Sequence, residues 1–240
     1  MPLSRRAQRH EQTRQEIKQI ARQQIARQGT AAALSIRGIA AEMGISAPSL
    51  YNYYTSRDDL LTDLIADSYT HQAEALERAS ASCSTQNPLQ CLLTTLLAYR
   101  QWALNHTMEF ALLSGTPTPG YAAPVDQTLP LARRSLKVVL DLLQRAWDDH
   151  RVETLWGSIA FTTAPLDDEL DRWRQEQGYA LPVVALFLDC YAFLQGFLAL
   201  ELFGHMPFFI SDPGSFYRAA LLMRLGAHEP GAEPAHPNAS

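Results

Sequence analysis

The 240 residues are 47% hydrophobic and 19% charged, which suits a soluble protein built as one large domain or as a small one joined to a medium one. Its three cysteines, Cys83, Cys91 and Cys190, form neither a CxxC pair nor a Cys/His cluster at metal spacing, which argues against a disulfide framework or structural zinc and predicts reduced core cysteines. The net charge of −5 conceals an asymmetry: residues 1–57 carry nine Lys/Arg against three acids (Glu11, Glu16, Glu42), a balance of +6, and the remainder carries −11.

Residues 1–10 (MPLSRRAQRH) are basic, but no apolar stretch follows them, so they do not read as a secretory signal. They are expected to form a flexible basic arm, either solvated or laid in a minor groove through Arg5, Arg6 and Arg9. Residues 11–28 predict an amphipathic helix with Ile17, Ile20, Ala21, Gln24 and Ile25 on one face and Gly29 as its stop. Ser35 offers an N-cap for a short helix over Ile36–Met43, which Gly44 ends as a left-handed cap. Ser46 caps a third helix running to about Tyr53, and Pro48 falls in its first turn, where a missing N–H costs nothing. Ser56, with Asp59 three positions on, forms a capping box that opens a fourth, long helix reaching roughly Ala79. Two short helices separated by Gly44-Ile45-Ser46 make a helix-turn-helix. A basic head carrying that motif on an acidic body is the charge pattern of a duplex-binding module joined to a non-binding domain.

Beyond the fourth helix, long apolar segments with helical periodicity run from Pro88 to Asn105, Asp126 to Asp149, Val152 to Thr162, Leu181 to Gly204 and Asp212 to Gly226. Pro/Gly-rich breaks at 114–124 and 205–213 separate some of them, and no alternating strand pattern stands out. The run from Leu181 to Phe203 has the length of a membrane span but contains Asp189, Gln195 and Glu201, so it predicts a buried helix at a bundle or dimer seam instead. Asp167, Asp168, Glu169 and Asp171 read as an acidic first helical turn after Pro165, with metal binding as the rival reading. The predicted fold class is all-α, with a three-helix helix-turn-helix domain over 11–56, a long helix leading into a helical bundle over 57–226, and a flexible tail over 227–240. No Gly-rich phosphate loop, metal-spaced set or nucleophile elbow occurs, so no catalysis, metal or cofactor is expected.

The string 36–61, IRGIAAEMGISAPSLYNYYTSRDDLL, closely resembles the DNA-binding segment of the TetR family of transcriptional regulators. The features that carry the resemblance are the I-x-x-I-A opening, A-x-x-G-I-S at the turn, S-L-Y-x-Y and an aromatic in the third helix, and S-R-D-x-L-L after it. Tyr54 stands where that family usually has phenylalanine, and Arg57 where it has lysine. The resemblance implies that the third helix enters a major groove, with Ser46, Ala47, Pro48, Ser49, Tyr51 and Asn52 exposed there and Leu50 inward. Ala47 and Pro48 are candidates for thymine methyls, and Tyr51 and Tyr53 resemble phosphate-contacting positions. Ser35 and Arg37 are further candidates, Arg37 for phosphate or a guanine edge, and Arg57 for another phosphate. Tyr53 and Tyr54 have core packing as their rival reading, and Ser46 has a purely capping one.

For the body, the resemblance implies an effector pocket, and Tyr99, Trp102, His106, Phe110, Trp147, Phe193 and Phe197 are its candidate lining, near the polar groups Gln195 and Glu201. The region around 194–205 is similar to the TetR subgroup marked by a Trp-His-Gly signature, of which Gly196 and the E-L-x-G-H tail match. The resemblance further implies a homodimer through the helices at 181–204 and 212–226, a double-stranded, pseudo-palindromic operator, and repression relieved by a small-molecule effector. The basic start without an apolar stretch and the ionisable residues in the 181–203 run separately lead to the expectation of a cytoplasmic location away from membranes. Two rival readings remain: a helix-turn-helix regulator without ligand sensing, controlled by a protein partner or by abundance, and a helical enzyme with a DNA-binding head.

Overall fold

A computed structural model describes residues 4–115, 118–150, 166–206 and 208–225. The helix expected over Val152–Thr162 and the tail over 227–240 lie outside the described residues. Among those described there are ten α-helices and no strand, so the protein is all-α. In chain order the helices are α1 (Arg5–Gln28), α2 (Ile36–Glu42), α3 (Ala47–Leu50), α4 (Arg57–Ser82), α5 (Pro88–Asn105), α6 (Thr107–Ser114), α7 (Val125–Asp148), α8 (Asp168–Gln177), α9 (Leu181–Leu202) and α10 (Pro213–Arg224). The chain divides into two compact units, Met1–Ala73 with Ala103–Arg134, and Glu74–Trp102 with Ser135–Ser240. Helices α4 and α7 each begin in the first unit and end in the second.

The first unit buries the apolar faces that periodicity assigns. Ile17, Ala21 and Ile25 of α1 meet Ile36, Ile39 and Ala40 of α2, Leu50 of α3, and Leu60, Leu61 and Leu64 of α4. At roughly 1.5–3 kcal/mol per fully buried aliphatic side chain, this cluster is the main force holding α1, α2 and α3 on α4. Ionic bonds then fix α1 along α4. Arg14 bonds Asp63 at 2.7 Å, the buried Lys18 bonds Asp67 at 2.8 Å, and Arg22 reaches the same carboxylate at 2.5 Å. Tyr54 is buried and donates its hydroxyl to Asp63 at 2.6 Å, under the Arg14 guanidinium, which lies 4.6 Å from its ring centre. Of the two readings for Tyr54, the core one is therefore correct.

The flexible basic arm expected over residues 1–10 is corrected: from Arg5 onward it is helix. Ser4 accepts a hydrogen bond from the Ala7 N–H at 3.2 Å, and no Pro or Gly interrupts 5–10, so α1 begins six residues earlier than the amphipathic pattern. Periodicity misses this because 5–10 bury almost nothing. Helix α6 was also not anticipated, since the α5–α6 corner at His106 contains neither Pro nor Gly.

In the second unit, α9 packs on α10 and brings Phe197 and Phe193 to Tyr217, a fully buried residue whose hydroxyl donates to the Leu96 carbonyl at 2.9 Å. Among the described residues α9 alone is long and apolar enough to cross a membrane, and half of its apolar window is buried. Its two acids meet cations within this unit: Arg100 of α5 forms a two-pronged pair with Glu201, and Arg224 of α10 lies 3.6 Å from Asp189. Asp167 caps α8 by accepting from the Glu169 N–H at 3.0 Å, and Asp171 bonds Arg174, so these two acids serve the helix itself.

The expectation of three reduced cysteines is corrected as well. Cys83, just past α4, and Cys91, in the first turn of α5, are joined by a disulfide that closes the α4–α5 hairpin. Their spacing of eight residues matches no motif, and only the turn back of the chain brings them together. Cys190 is free and buried, and burial pushes its thiol up to about 12.

Candidate nucleic-acid interface

The helix-turn-helix is set by hydrogen bonds that its sequence chooses locally. Gly44 takes φ +66°, donates to the Ala41 carbonyl at 3.1 Å, and leaves Ile45 to donate to the Ala40 carbonyl at 3.0 Å. Those two bonds are a Schellman closure of α2, and Ile45 packs down against the core. Ser46 then accepts from the Ser49 N–H at 3.3 Å and shares a 2.8 Å contact with the Ser49 hydroxyl, so Ser46 is a cap. Helix α3 is shorter than expected: after Leu50 the backbone tightens, with Asn52 and Tyr53 donating to Ser49 and Leu50, three residues back. At the opposite side of the motif, Gly38 faces Gln24 so closely that a Cβ would stand 2.9 Å from its amide nitrogen. Gln24 accepts from the Ser35 N–H at 3.3 Å and donates to Glu42 at 3.1 Å, tying α1 to both ends of α2.

This arrangement sorts the sequence-derived residues. Ser35, Arg37, Ser46, Pro48, Tyr51 and Asn52 are exposed, Ala47, Ser49 and Tyr53 are partly covered, and Leu50 is wholly buried beneath them. Ser35 caps α2 by accepting from the Gly38 N–H at 3.2 Å. Arg57 points its donors inward: Nε donates to the Leu34 carbonyl at 3.1 Å and Nη2 to the Ala31 carbonyl at 2.9 Å, with Nη1 beside Asp58. One residue escaped the sequence reading. His10 of α1 stacks on Tyr53, ring centres 4.7 Å apart, and its signal is visible only once α1 is known to extend back past it.

Electrostatically, the clamp between α1 and α4 is built around two carboxylates. Burial pushes the Asp63 carboxyl up, but bonds from Tyr54 and Arg14 and the charge of Lys18 outweigh it and hold it below the usual carboxylate value. The Tyr54 phenol is raised, by burial first and then by its bond to Asp63.

The residues expected to line an effector pocket fall in both units. His106 and Phe110 belong to the first, where Phe110 is fully buried and His106 is exposed with Nδ1 3.8 Å from Glu109. Tyr99, Trp102, Trp147, Phe193 and Phe197 belong to the second. There Tyr99 stacks near Trp102 at 6.0 Å and accepts from the Gln195 amide at 2.9 Å, while Phe193 lies 5.5 Å from Phe197 and 6.1 Å from Tyr217. Trp147 is half-buried on α7. The same unit holds a cleft of about 580 Å³ lined by Glu77 and Ser80 of α4, Asp141, Gln144 and Arg145 of α7, and Tyr179 before α9. Tyr179 donates to Asp141 at 2.6 Å and Lys137 bonds Asp141 at 2.9 Å, so its polar wall is ordered. None of the anticipated lining residues borders it.

With the geometry in view, the chain can be set beside known proteins. Residues 19–64 match the family described as bacterial regulatory proteins, tetR family, and residues 92–223 match the family described as Tetracyclin repressor-like, C-terminal domain. The HTH-type transcriptional regulator Rv1816 of Mycobacterium tuberculosis is 31% identical over 224 residues, covering 90% of this chain and 92% of that one. A Mycobacterium bovis regulator, Mb1846, matches to the same extent. Among solved structures, the regulatory protein SCO4313 superposes with a TM-score of 0.74 at 34% identity, covering 93% of this chain and all of that one. The TetR family regulator PfmR from Thermus thermophilus shares the fold at 15% identity, with a TM-score of 0.59 over 89% of this chain and 99% of that one. A helix-turn-helix of this geometry on an all-helical body, and matches over both parts of the sequence, lead to one conclusion: the chain belongs to the TetR family of DNA-binding transcriptional regulators.

Proposed function

We propose that the protein is a repressor that binds a pseudo-palindromic operator as a homodimer and is released by a small molecule held in its helical body. The observation that carries this reading is the two-sidedness of 46–54: Leu50 and Tyr54 are buried, and Pro48, Tyr51 and Asn52 stand in solvent, as does Arg37 of α2. Such a face can enter a major groove without disturbing the core beneath it. In this reading Ala47 and Pro48 meet thymine methyls, the Ser35, Tyr51 and Tyr53 hydroxyls bond phosphates, and Arg37 takes a phosphate or a guanine edge. Ser46 and Ser49 hold the start of α3, and Arg57 acts through the turn it secures.

Homodimerisation is supported by large apolar side chains left exposed on α9 and α10, among them Leu200, Phe216 and Met223, with Phe203 just after α9. A second copy would cover them, completing the burial that one chain gives α9 only on half of its apolar window. Two-fold symmetry then presents two recognition helices about 34–36 Å apart, one turn of the duplex. An effector that prefers another spacing lowers operator affinity by its differential binding energy, and α4, covalently shared by both units, is the lever. The setting for such a one-component regulator is the cytoplasm.

A mobility-shift assay on the DNA flanking the protein's own gene, with and without candidate effectors, tests the whole proposal. Arg37→Ala and Tyr51→Ala should each weaken operator binding, Arg37→Ala by about 1–3 kcal/mol if it reads a guanine. Unchanged binding of both variants at moderate salt would remove the assigned face. A second reading, regulation without a ligand, is favoured by the way Tyr99, Phe193, Phe197 and Tyr217 pack near one another in the second unit. The cleft beside Tyr179 and Asp141 favours ligand sensing, and effector-induced release that is lost in Tyr179→Ala would decide for it.

A further inference from the structure

The cations of the head differ sharply in what they face. Arg14, Lys18 and Arg22 are paired with Asp63 and Asp67, Arg27 is paired with Glu42, and Arg57 bonds two carbonyls. Among the described residues, Arg5, Arg6, Arg9 and Arg37 form no ion pair, and all four are exposed. Three of these four sit in the first two turns of α1. Their place beside the recognition segment is fixed by His10, whose ring stacks on Tyr53. Arg6 and His10, four apart, share a helix face, and Arg5 and Arg9 share the adjoining one.

That placement works against the helix. Its first turn holds no acid and two arginines, where the helix dipole favours negative charge. Arg5 and Arg9 form a like-charge pair at a spacing where such pairs destabilise. Glu11 is the single acid between residues 4 and 15, and it accepts from Gln15 at 2.7 Å. A helix that carries such a costly charge pattern in water gains when a polyanion lies against it.

We infer that the first two turns of α1 are a second contact element for the duplex: Arg6 and Arg9, with Arg5, bind backbone phosphates beside the groove that α3 occupies, and the His10–Tyr53 stack sets their position. This inference rests on the family's DNA binding and adds a site to it. Because these contacts would carry no base information, they should raise affinity for any duplex and steepen its salt dependence.

The test uses the full-length protein and a mixed-sequence duplex of roughly 30 base pairs, with affinity followed by fluorescence anisotropy between about 50 and 200 mM salt. Each lost phosphate contact flattens the slope of log affinity against log salt by about 0.9. Arg6→Ala/Arg9→Ala should therefore flatten it by about 2 per bound head and weaken binding most at low salt. Arg6→Lys/Arg9→Lys should restore most of the slope, and Arg6→Gln/Arg9→Gln, which keeps helix-forming side chains of similar length, should behave as the alanine pair does. Melting curves of all three should overlay the parent or shift slightly upward for the neutral pairs. A salt slope unchanged in both neutral pairs would overturn the inference. If Arg37→Ala still flattens the slope in that case, the DNA-binding face stands and this second element alone is rejected. If Arg37→Ala also leaves it unchanged, both are rejected.

Discussion

Asp63 accepts from Tyr54 and Arg14 while Lys18 stands 3.7 Å away, so one carboxylate draws α1, the end of the helix-turn-helix and α4 to a single point. A carboxyl whose folded value lies below its unfolded one lends stability at neutral pH and loses it as pH falls through the lowered value. Thermal midpoints should hold between about pH 5 and 7 and decline below about pH 4. In Asp63→Asn the midpoint should start lower at neutral pH, and its acid decline should be shallower; a parallel pair of curves would show that Asp63 is not the group responsible. Tyr54→Phe removes one hydroxyl bond but keeps the buried ring, and should cost about 1 kcal/mol in urea unfolding. This level of detail was only half legible in the sequence. That Tyr54 packs inward follows from its spacing to Leu50, but its partner and those of Lys18 and Arg22 lie 9 to 49 residues away and depend on tertiary approach.

At the level of elements, the helix-turn-helix was legible because its determinants are local. Caps at Ser35 and Ser46, the Gly44 closure and the apolar spacing of Ile36, Ile39 and Leu50 each act within a few residues. Gly44→Ala meets no atom within 4 Å, so its cost is backbone strain alone, about 1–2 kcal/mol for a left-handed residue with a Cβ. A melting temperature unmoved by that change would contradict the assigned turn. The start of α1, the whole of α6 and the disulfide were not legible, for different reasons. An exposed helix end carries no apolar period, a corner without Pro or Gly leaves no mark, and cysteines eight apart could lie anywhere until the α4–α5 turn pairs them. Closing that short loop should contribute about 2–3 kcal/mol on a chain-entropy account. Reductant, or Cys83→Ser/Cys91→Ser, should therefore lower the thermal midpoint, and equal midpoints with and without reductant would argue that the link is open in solution.

On the scale of the molecule, the sequence's charge asymmetry has become a map. Five of the head's nine cations are held by protein groups, three of them by Asp63 and Asp67 across α1 and α4, and the other four, Arg5, Arg6, Arg9 and Arg37, face solvent with no ion pair among the described residues. The aromatic body was less legible: its rings were foreseen as a group, yet composition could not say which would pack on one another and which would border the cleft at Asp141 and Tyr179. If a second copy covers α9 and α10, Leu200→Glu with Phe216→Glu should halve the mass seen by light scattering and cut operator affinity steeply; an unchanged mass would place the dimer elsewhere. The inward guanidinium of Arg57 has a consequence for how the head comes apart. By holding the carbonyls of both Ala31 and Leu34, it fastens the 31–34 turn to the first turn of α4, so these segments should open together as one cooperative unit and not fray separately. Amide hydrogen exchange reads this directly: protection around Leu34 should track that of Leu60 and Leu61, and Arg57→Ala should uncouple them while leaving exchange at Ile17 and Ala21 where it was.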